Sequence, residues 1–380
     1  MPNRSPVLDG IRGLAVSLVL LWHYGPCLFP IIPESNTLGR LLYELAAPSE
    51  TGVDLFFVLS GFLIGGILLD HRGAPNFFRV FYQRRVGRIF PLYYGWLIIY
   101  AVVVYFWPPQ TRYFQQIFNH QVALWPCVLF LQNQAGNFIS IFPHTSLAVT
   151  WSLAVEEQFY LLIPLLIFLL PRRALTGLMV LAIVSAPFAR WHYPAPQNII
   201  YTVCRWDALA LGVLLALTIR TPRIWIWLQA HRPRLFWCWL ALFLISWFHA
   251  FAGIVSYAVY QTFLNFTWAG LLFLAVSRPE GKLGKSLSHP ILTRAGILSY
   301  AIYLFHEPIL HSIFPINGVE VSQPYIYDSF DVVLVIVALA GTWMLASLLH
   351  RFIEQPIITW VHRTPYQERI TQSEAPGIMH

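Results

Sequence analysis

The sequence predicts an all-α protein, a polytopic transmembrane helix bundle of about ten spans with both termini in the cytoplasm. Three observations predict it. Of 380 residues, 57% are hydrophobic and 11% charged, with a mean hydropathy of +0.59, whereas soluble domains carry about 25% charged residues. Apolar runs recur at close to the roughly 20 residues that a bilayer helix needs. The basic residues punctuate those runs with a strong bias to alternate connections. That distribution reads as membrane anchoring, and no nucleic-acid partner is expected.

The predicted spans are 11–30, 53–69, 89–107, 149–170, 174–189, 199–219, 235–252, 254–276, 295–314 and 332–349. The fifth is the shortest, and the sixth requires Arg205 and Asp207 to be tolerated near one end. With the N-terminus inside, 20 of the 24 Lys and Arg fall in inner segments. Arg40, Arg112, Arg190 and Arg205 are left outside, which supports an even number of spans. The first run is too polar at its start for a cleaved signal and reads as a retained span. A membrane domain over 1–362 precedes a polar, disordered cytoplasmic tail, 363–380. In the long outer connection, 122–131 is too short to span and suits a re-entrant or interfacial piece. Gln132, Asn133, Gln134 and Asn137 follow it; they suit either a sugar site or a wet loop. The four cysteines have no metal-ligand spacing, and no metal is expected; a Cys27–Cys127 bridge is conceivable if both lie outside.

Chemistry-bearing residues inside the spans carry the functional reading. The stretch 8–23, LDGIRGLAVSLVLLWH, places Arg12 and His23 eleven residues apart on nearly one helix face, roughly 16 Å along the axis. Ionisable groups within a span are functional candidates, and an imidazole suits a general base. Asp9 lies near the same stripe and is a candidate partner for the inner arginines. In WSLAVEEQFY, Glu156 and Tyr160 stand one turn apart with Trp151 above them, and Glu157 points about 100° away. Glu156 serves either as a catalytic acid or as a carboxylate that orients His or Arg. Arg84, Arg85 and Arg88 crowd one turn at the inner mouth of the third span. Such a cluster clamps polyphosphate through bidentate bonds, unless it only anchors the helix. His306 and Glu307 fall inside the ninth span, before Pro308. Glu354 ends the tenth at the inner face, where an Arg partner is available and a structural role leads. Arg205 and Asp207 suit local hydrogen bonds, and Asp54 and Ser60, six residues apart, lie on different faces.

Together, LDGIRGLAVSLVLLWH, GVDLFFVLSGFLI, RRVGRIFP, WSLAVEEQFYLLIP, SYAIYLFHEPIL and FIEQP, in this order over residues 8–356, resemble the membrane-bound acyltransferase-3 family. The resemblance is to the stand-alone form, without an extracytoplasmic hydrolase-like domain. It implies a multi-pass O-acyltransferase of the bacterial inner (plasma) membrane. The reaction implied moves an acyl group, commonly acetyl, from cytoplasmic acyl-CoA to a hydroxyl of an extracytoplasmic carbohydrate or lipid-linked glycan. Acyl-CoA is then a donor substrate, with no permanently bound cofactor. His23 matches the family's essential histidine, and Arg12, Arg84, Arg85 and Arg88 match its arginine motifs. The rival reading from the residues alone is a transporter or proton-coupled carrier that uses the same buried polar groups.

Overall fold

A computed structural model describes residues 5–28, 47–107, 117–118, 122–136, 139, 146–252, 256–313 and 329–367. Among them the regular structure is entirely helical. The longer helices are α1 (Pro6–Leu28), α2 (Gly52–Asp70), α3 (Phe77–Phe106), α4 (Thr150–Leu169), α5 (Arg172–His192) and α6 (Trp206–Ile219). After these come α7 (Pro222–Ala230), α8 (Arg232–Ala252), α9 (Tyr257–Ser277), α10 (Pro290–Ile313) and α11 (Ser329–Leu349). Among the described residues helices occupy most of each predicted span, the sixth in pieces, since α6 begins at Trp206 after two short helical turns. Seven segments of the described residues are long and apolar enough to cross a membrane, or eight if α6 and α7, bent by 98°, form one span. The expected count of about ten exceeds that number because α8 and α10 are not among the qualifying segments.

The outward faces are apolar. α3 exposes Ile98, Ile99 and Val102, and α4 exposes Leu161, Leu162 and Leu165. Water would penalise such continuous apolar faces, whereas hydrocarbon does not. Packing inside relies on small residues, because a bilayer supplies no hydrophobic force between helices. α1 runs against α10 and α2, and α2 runs against α6. A Cβ on Gly13 would lie 1.9 Å from the Leu292 carbonyl oxygen, and one on Gly61 would lie 2.0 Å from that of Leu209. Glycine at these two contacts therefore sets how closely α1 and α2 approach their neighbours, and so where Arg12 and Ser60 stand.

Buried charges tie the bundle at a second level. Arg190 and Asp207 pair at 2.9 Å with both side chains wholly inaccessible, and Thr262 hydrogen-bonds both. Arg205 pairs with Asp54 at 2.9 Å and also donates to the Ile199 carbonyl. Arg205 and Asp207, neighbours in sequence, thus serve different partners on α2 and α5 rather than local hydrogen bonds alone. The amide run is likewise structural where it is described. Gln132 and Asn133 are fully buried: Gln132 donates to the Thr150 carbonyl at 2.9 Å, and Asn133 donates to the Ile200 carbonyl at 3.1 Å. For these two the expected choice between a sugar site and a wet loop gives way to cross-links within the bundle. Asn137 lies outside the described residues. Residues 124–128 form one short helix. Cys127 is a buried free thiol, contrary to a bridge; the Cys27 side chain lies outside the described residues. Of the tail, 363–367 is described and 368–380 is not.

Candidate active site

α1, α2, α3, α4 and α10 surround a cavity that contains about 940 Å³ of atom-free space and is partly open. Its polar lining includes Arg12, Arg85, Arg88, Glu156, Ser60 and Tyr160, with Phe56, Phe57, Leu63 and Ile64 among the apolar walls. Arg12 donates to Asp9 at 2.6 Å, so a carboxylate on the preceding turn aims the first guanidinium. Arg85 stands over the Tyr160 ring, 5.8 Å from its centroid, a cation–π distance.

Arg84 departs from its neighbours. It donates to the Thr364 carbonyl at 3.0 Å, lies 5.0 Å over the Tyr366 ring, and is absent from the cavity lining. Successive helical residues point about 100° apart, so the predicted triple cluster divides. Arg85 and Arg88 face the cavity, and Arg84 faces the segment that follows Val361. Tyr366 stacks on His71 at 4.0 Å, and Asn76 donates to the Pro365 carbonyl at 3.0 Å. Burial pushes the Tyr366 phenol above its ordinary value, opposed by Arg84 and Arg85. The His362 imidazole is held below its ordinary value by burial and by Arg84, Arg85 and Arg88.

Deep in the cavity, Glu156 accepts two hydrogen bonds. Ser60 donates to Oε1 at 2.8 Å and Tyr160 donates to Oε2 at 3.0 Å. The hydroxyls of Ser60 and Tyr160 are 3.1 Å apart. Each hydroxyl has one proton, and both are directed at the same carboxylate. Glu156 therefore has Ser60 and Tyr160 as partners, and no His or Arg among the described residues hydrogen-bonds to it.

His23 stands apart from this group. It lies 17 residues beyond the start of α1 and five before its end, about 25 Å along the axis. That is the far third of the helix, rather than the middle expected from an apolar run starting at residue 11. Its Nε2 is 3.1 Å from Glu307 Oε1 and its Nδ1 is 2.9 Å from the Val19 carbonyl oxygen. The carbonyl only accepts, so Nδ1 carries a proton and a second proton lies between Nε2 and the carboxylate. The wholly buried His306 sits edge-on at 4.7 Å between ring centroids. His306 Nε2 and Glu307 Oε2 are buried without a hydrogen-bond partner among the described residues. His23, His306 and Glu307 each offer one ligand atom, all within 4.8 Å of one another, a set that can hold a metal ion. The sequence places Glu307 inside the ninth span without indicating its partner. Only the docking of α10 on α1 brings it to His23.

Between the two groups stand Tyr303 and Ser152, both lining the cavity. Their hydroxyls are 2.6 Å apart, and the Tyr303 ring is 5.7 Å from that of His306. Two predicted residues fall elsewhere. Trp151 packs under Arg205, 5.4 Å from the guanidinium carbon. Glu354 bonds His350 at 2.8 Å within a π-helical turn, His350–Glu354, instead of an arginine. The wider turn brings these i,i+4 side chains together.

Fold and site together define a class: a membrane helix bundle with an arginine-lined cavity and, beyond it, a half-buried histidine paired with a buried carboxylate. The chain belongs to the Acyltransferase domain family, whose model matches residues 6–351; it is an acyltransferase by family. It is 31% identical over 379 residues to the peptidoglycan O-acetyltransferase OatA of Listeria monocytogenes, with 93% of this chain and 55% of that one covered. It is 29% identical over 389 residues to the putative peptidoglycan O-acetyltransferase YrhL of Bacillus subtilis, with 93% and 55% covered. With the O-acetyltransferase OatA of Staphylococcus aureus the figures are 27% over 383 residues, 94% and 57%. The chain spans little more than half the length of these relatives. No solved structure matches it significantly.

Proposed function

We propose that the protein transfers an acetyl group from acetyl-CoA, held at the arginine end of the cavity, to a cell-wall carbohydrate hydroxyl at the His23 end. The observation that carries the reading is the axial order of groups on one bundle. Arg12, Arg85 and Arg88 line the cavity, and the His23–Glu307 pair lies eleven residues above Arg12 along α1. Guanidiniums match phosphate oxygens, and the roughly 16 Å rise from Arg12 to His23 suits the reach of a pantetheine arm. The unpartnered Oε2 of Glu307 and Nε2 of His306 are complementary to an incoming hydroxyl. The pair formed by His23 and Glu307 acts as its proton acceptor, which is general-base catalysis.

The distribution of Lys and Arg supports an inner position for the arginine end, both termini inside, and ten crossings that include α8 and α10. The names of the relatives favour peptidoglycan as acceptor and a bacterial cell membrane as the location. The domain then covers 1–362, with 363–380 as a cytoplasmic tail. The test is to supply membranes with labelled acetyl-CoA and isolated glycan strands. Acetyl ester on the glycan, found by mass spectrometry and lost in His23→Ala, is the expected result. Glycan movement across the membrane without acetylation would overturn the reading in favour of a carrier.

A further inference from the structure

Two polar atoms beyond the arginine-lined cavity have no task in holding the bundle together. His306 Nε2 and Glu307 Oε2 lack a hydrogen-bond partner among the described residues, although His306 is wholly buried and Glu307 nearly so. An unmatched buried lone pair costs free energy, and an ion or a water is the usual reason for one. The surroundings select between the two. His306 Nδ1 is 2.7 Å from the Tyr303 carbonyl oxygen, as His23 Nδ1 is 2.9 Å from that of Val19. A carbonyl only accepts, so each Nδ1 holds a proton and leaves Nε2 as the nitrogen for a ligand. A ring fixed in this way by a backbone carbonyl is the usual setting of a metal-binding histidine. His23 Nε2 is 3.1 Å from Glu307 Oε1, and one donor atom from each of the three residues lies within 4.8 Å of the others. Ligands of a tetrahedral zinc ion, with bonds of about 2.0–2.1 Å, stand roughly 3.3 Å apart. Small side-chain rotations therefore close the set on an ion. Tyr24, next to His23, donates to the His306 carbonyl at 2.9 Å, which ties α1 to the turn of α10 that carries the other two ligands. A quarter of the His23 side chain is exposed, which gives an ion its way in.

We propose that His23, His306 and Glu307 bind one zinc ion and leave its fourth position open for the acceptor hydroxyl. Two imidazole nitrogens and one carboxylate oxygen with an open position are the donor set of catalytic zinc, whereas structural zinc is closed by four protein ligands. The same three donors suit ferrous iron, but acyl transfer moves no electrons and asks only for a Lewis acid. The site stands on its geometry; its part in acyl transfer rests on the reading given above. On binding, the ion displaces the proton held between His23 Nε2 and Glu307 Oε1, and that proton leaves to water. The acceptor hydroxyl takes the open position and passes its proton to Glu307 Oε2, the oxygen that the ion does not hold. The bound alkoxide oxygen attacks the thioester carbonyl carbon, the carbon–sulfur bond breaks, and the departing sulfur takes the proton back from Glu307 through water. The His23–Glu307 pair thus remains the proton acceptor, with an ion in place of the proton between its members. Cysteine spacing gave no sign of such a site, because its ligands come from α1 and α10 and contain no sulfur.

The experiment uses the full-length protein in detergent, stripped with a soluble chelator, dialysed and equilibrated with zinc alone. Elemental mass spectrometry counts zinc per chain, and competition with a chromophoric chelator gives its affinity. Cobalt(II), loaded in place of zinc, reports its ligands through its absorption spectrum. The expected result is one zinc per chain. His306→Gln and Glu307→Gln should each weaken binding by more than the roughly 10–100-fold that an outer partner of a ligand is worth. His306→Cys keeps a zinc-binding atom, so it should retain the ion and add a sulfur-to-cobalt charge-transfer band, which a variant that merely misfolds would not show. No zinc on the wild type, or zinc held equally by His306→Gln and Glu307→Gln, overturns the site; acetyl ester still formed on glycan by the zinc-free protein would then leave the acyl-transfer reading standing. One zinc per chain, lost in both Gln variants, upholds the site even where no acetyl ester forms, and in that case only the acyl-transfer reading falls.

Discussion

His23 Nε2 lies 3.1 Å from Glu307 Oε1, while the Val19 carbonyl holds its other nitrogen. Both ring nitrogens are engaged, so proton transfer at this site belongs to the pair. His23→Ala is expected to lower kcat by about 10²–10⁴, the usual contribution of a general base. Glu307→Gln is expected to fall by a similar factor, and the double variant no further, because groups acting as one unit are non-additive. Steady-state kinetics with acetyl-CoA and glycan check this, with KM for acetyl-CoA unchanged.

Arg85 and Arg88 line the cavity and Arg84 does not. Loss of a charged hydrogen bond costs about 1.5–3 kcal/mol. Arg85→Ala or Arg88→Ala should therefore weaken acetyl-CoA binding by roughly 10- to 150-fold, whereas Arg84→Ala should leave it nearly unchanged. Isothermal titration with a non-hydrolysable acetyl-CoA analogue measures the difference. Equal losses at all three positions would show that the division of the cluster has no bearing on the ligand.

The wholly buried Arg190–Asp207 pair predicts a stability effect without a direct catalytic one. Asp207→Ala leaves a guanidinium uncompensated and should cost about 3–5 kcal/mol. Replacing both partners with apolar residues of similar volume should recover most of that loss. Thermal unfolding in detergent reports both.

Gly61 tests the close approach of α2 to α6. A Cβ there would lie 2.0 Å from the Leu209 carbonyl oxygen, so Gly61→Ala must separate the helices. The expected cost is about 1–3 kcal/mol, as for overpacking. Displacing Ser60 should lower activity more steeply than stability, and turnover measured well below the new Tm checks this.

The segment 362–367 docks on Arg84 and Asn76, and its His362 titrates below the ordinary value. Released, the imidazole takes a proton near pH 6.5; docked, it resists one. Docking is therefore strongest above that pH and weakens as pH falls below it. A spin label at Gln367→Cys should become more mobile between pH 7 and 5, and His362→Gln should remove the change.

Much of the bundle was legible because its signals are local. Runs near 20 residues mark the helices, and Arg12, Arg85, Arg88, Glu156 and Tyr160, selected as polar residues within or beside apolar runs, line one cavity. The predicted depth of His23 moved because α1 begins at Pro6 and not at residue 11: Pro6 opens the helix, and a helix tolerates a polar first turn that a hydropathy reading excludes. Glu307 and Ser60 carried the same local signal, but their partners, like that of Arg190, lie on other helices and left no local trace.

The sequence by itself determined that this chain builds apolar helices with a biased distribution of positive charge, because helix length and charge are properties of contiguous residues. Tertiary structure alone decided the pairings: His23 with Glu307 across 284 positions, Ser60 with Glu156 across 96, and Arg190 with Asp207. The physical reason lies in the glycine contacts of α1 and α2. They leave no room for a side chain between the helices, and at that close spacing each buried polar group has few partners within reach. Burial then makes an unmade bond costly. Helix packing thus turns residues that were only out of place in an apolar run into an arginine-lined cavity and a histidine–carboxylate pair.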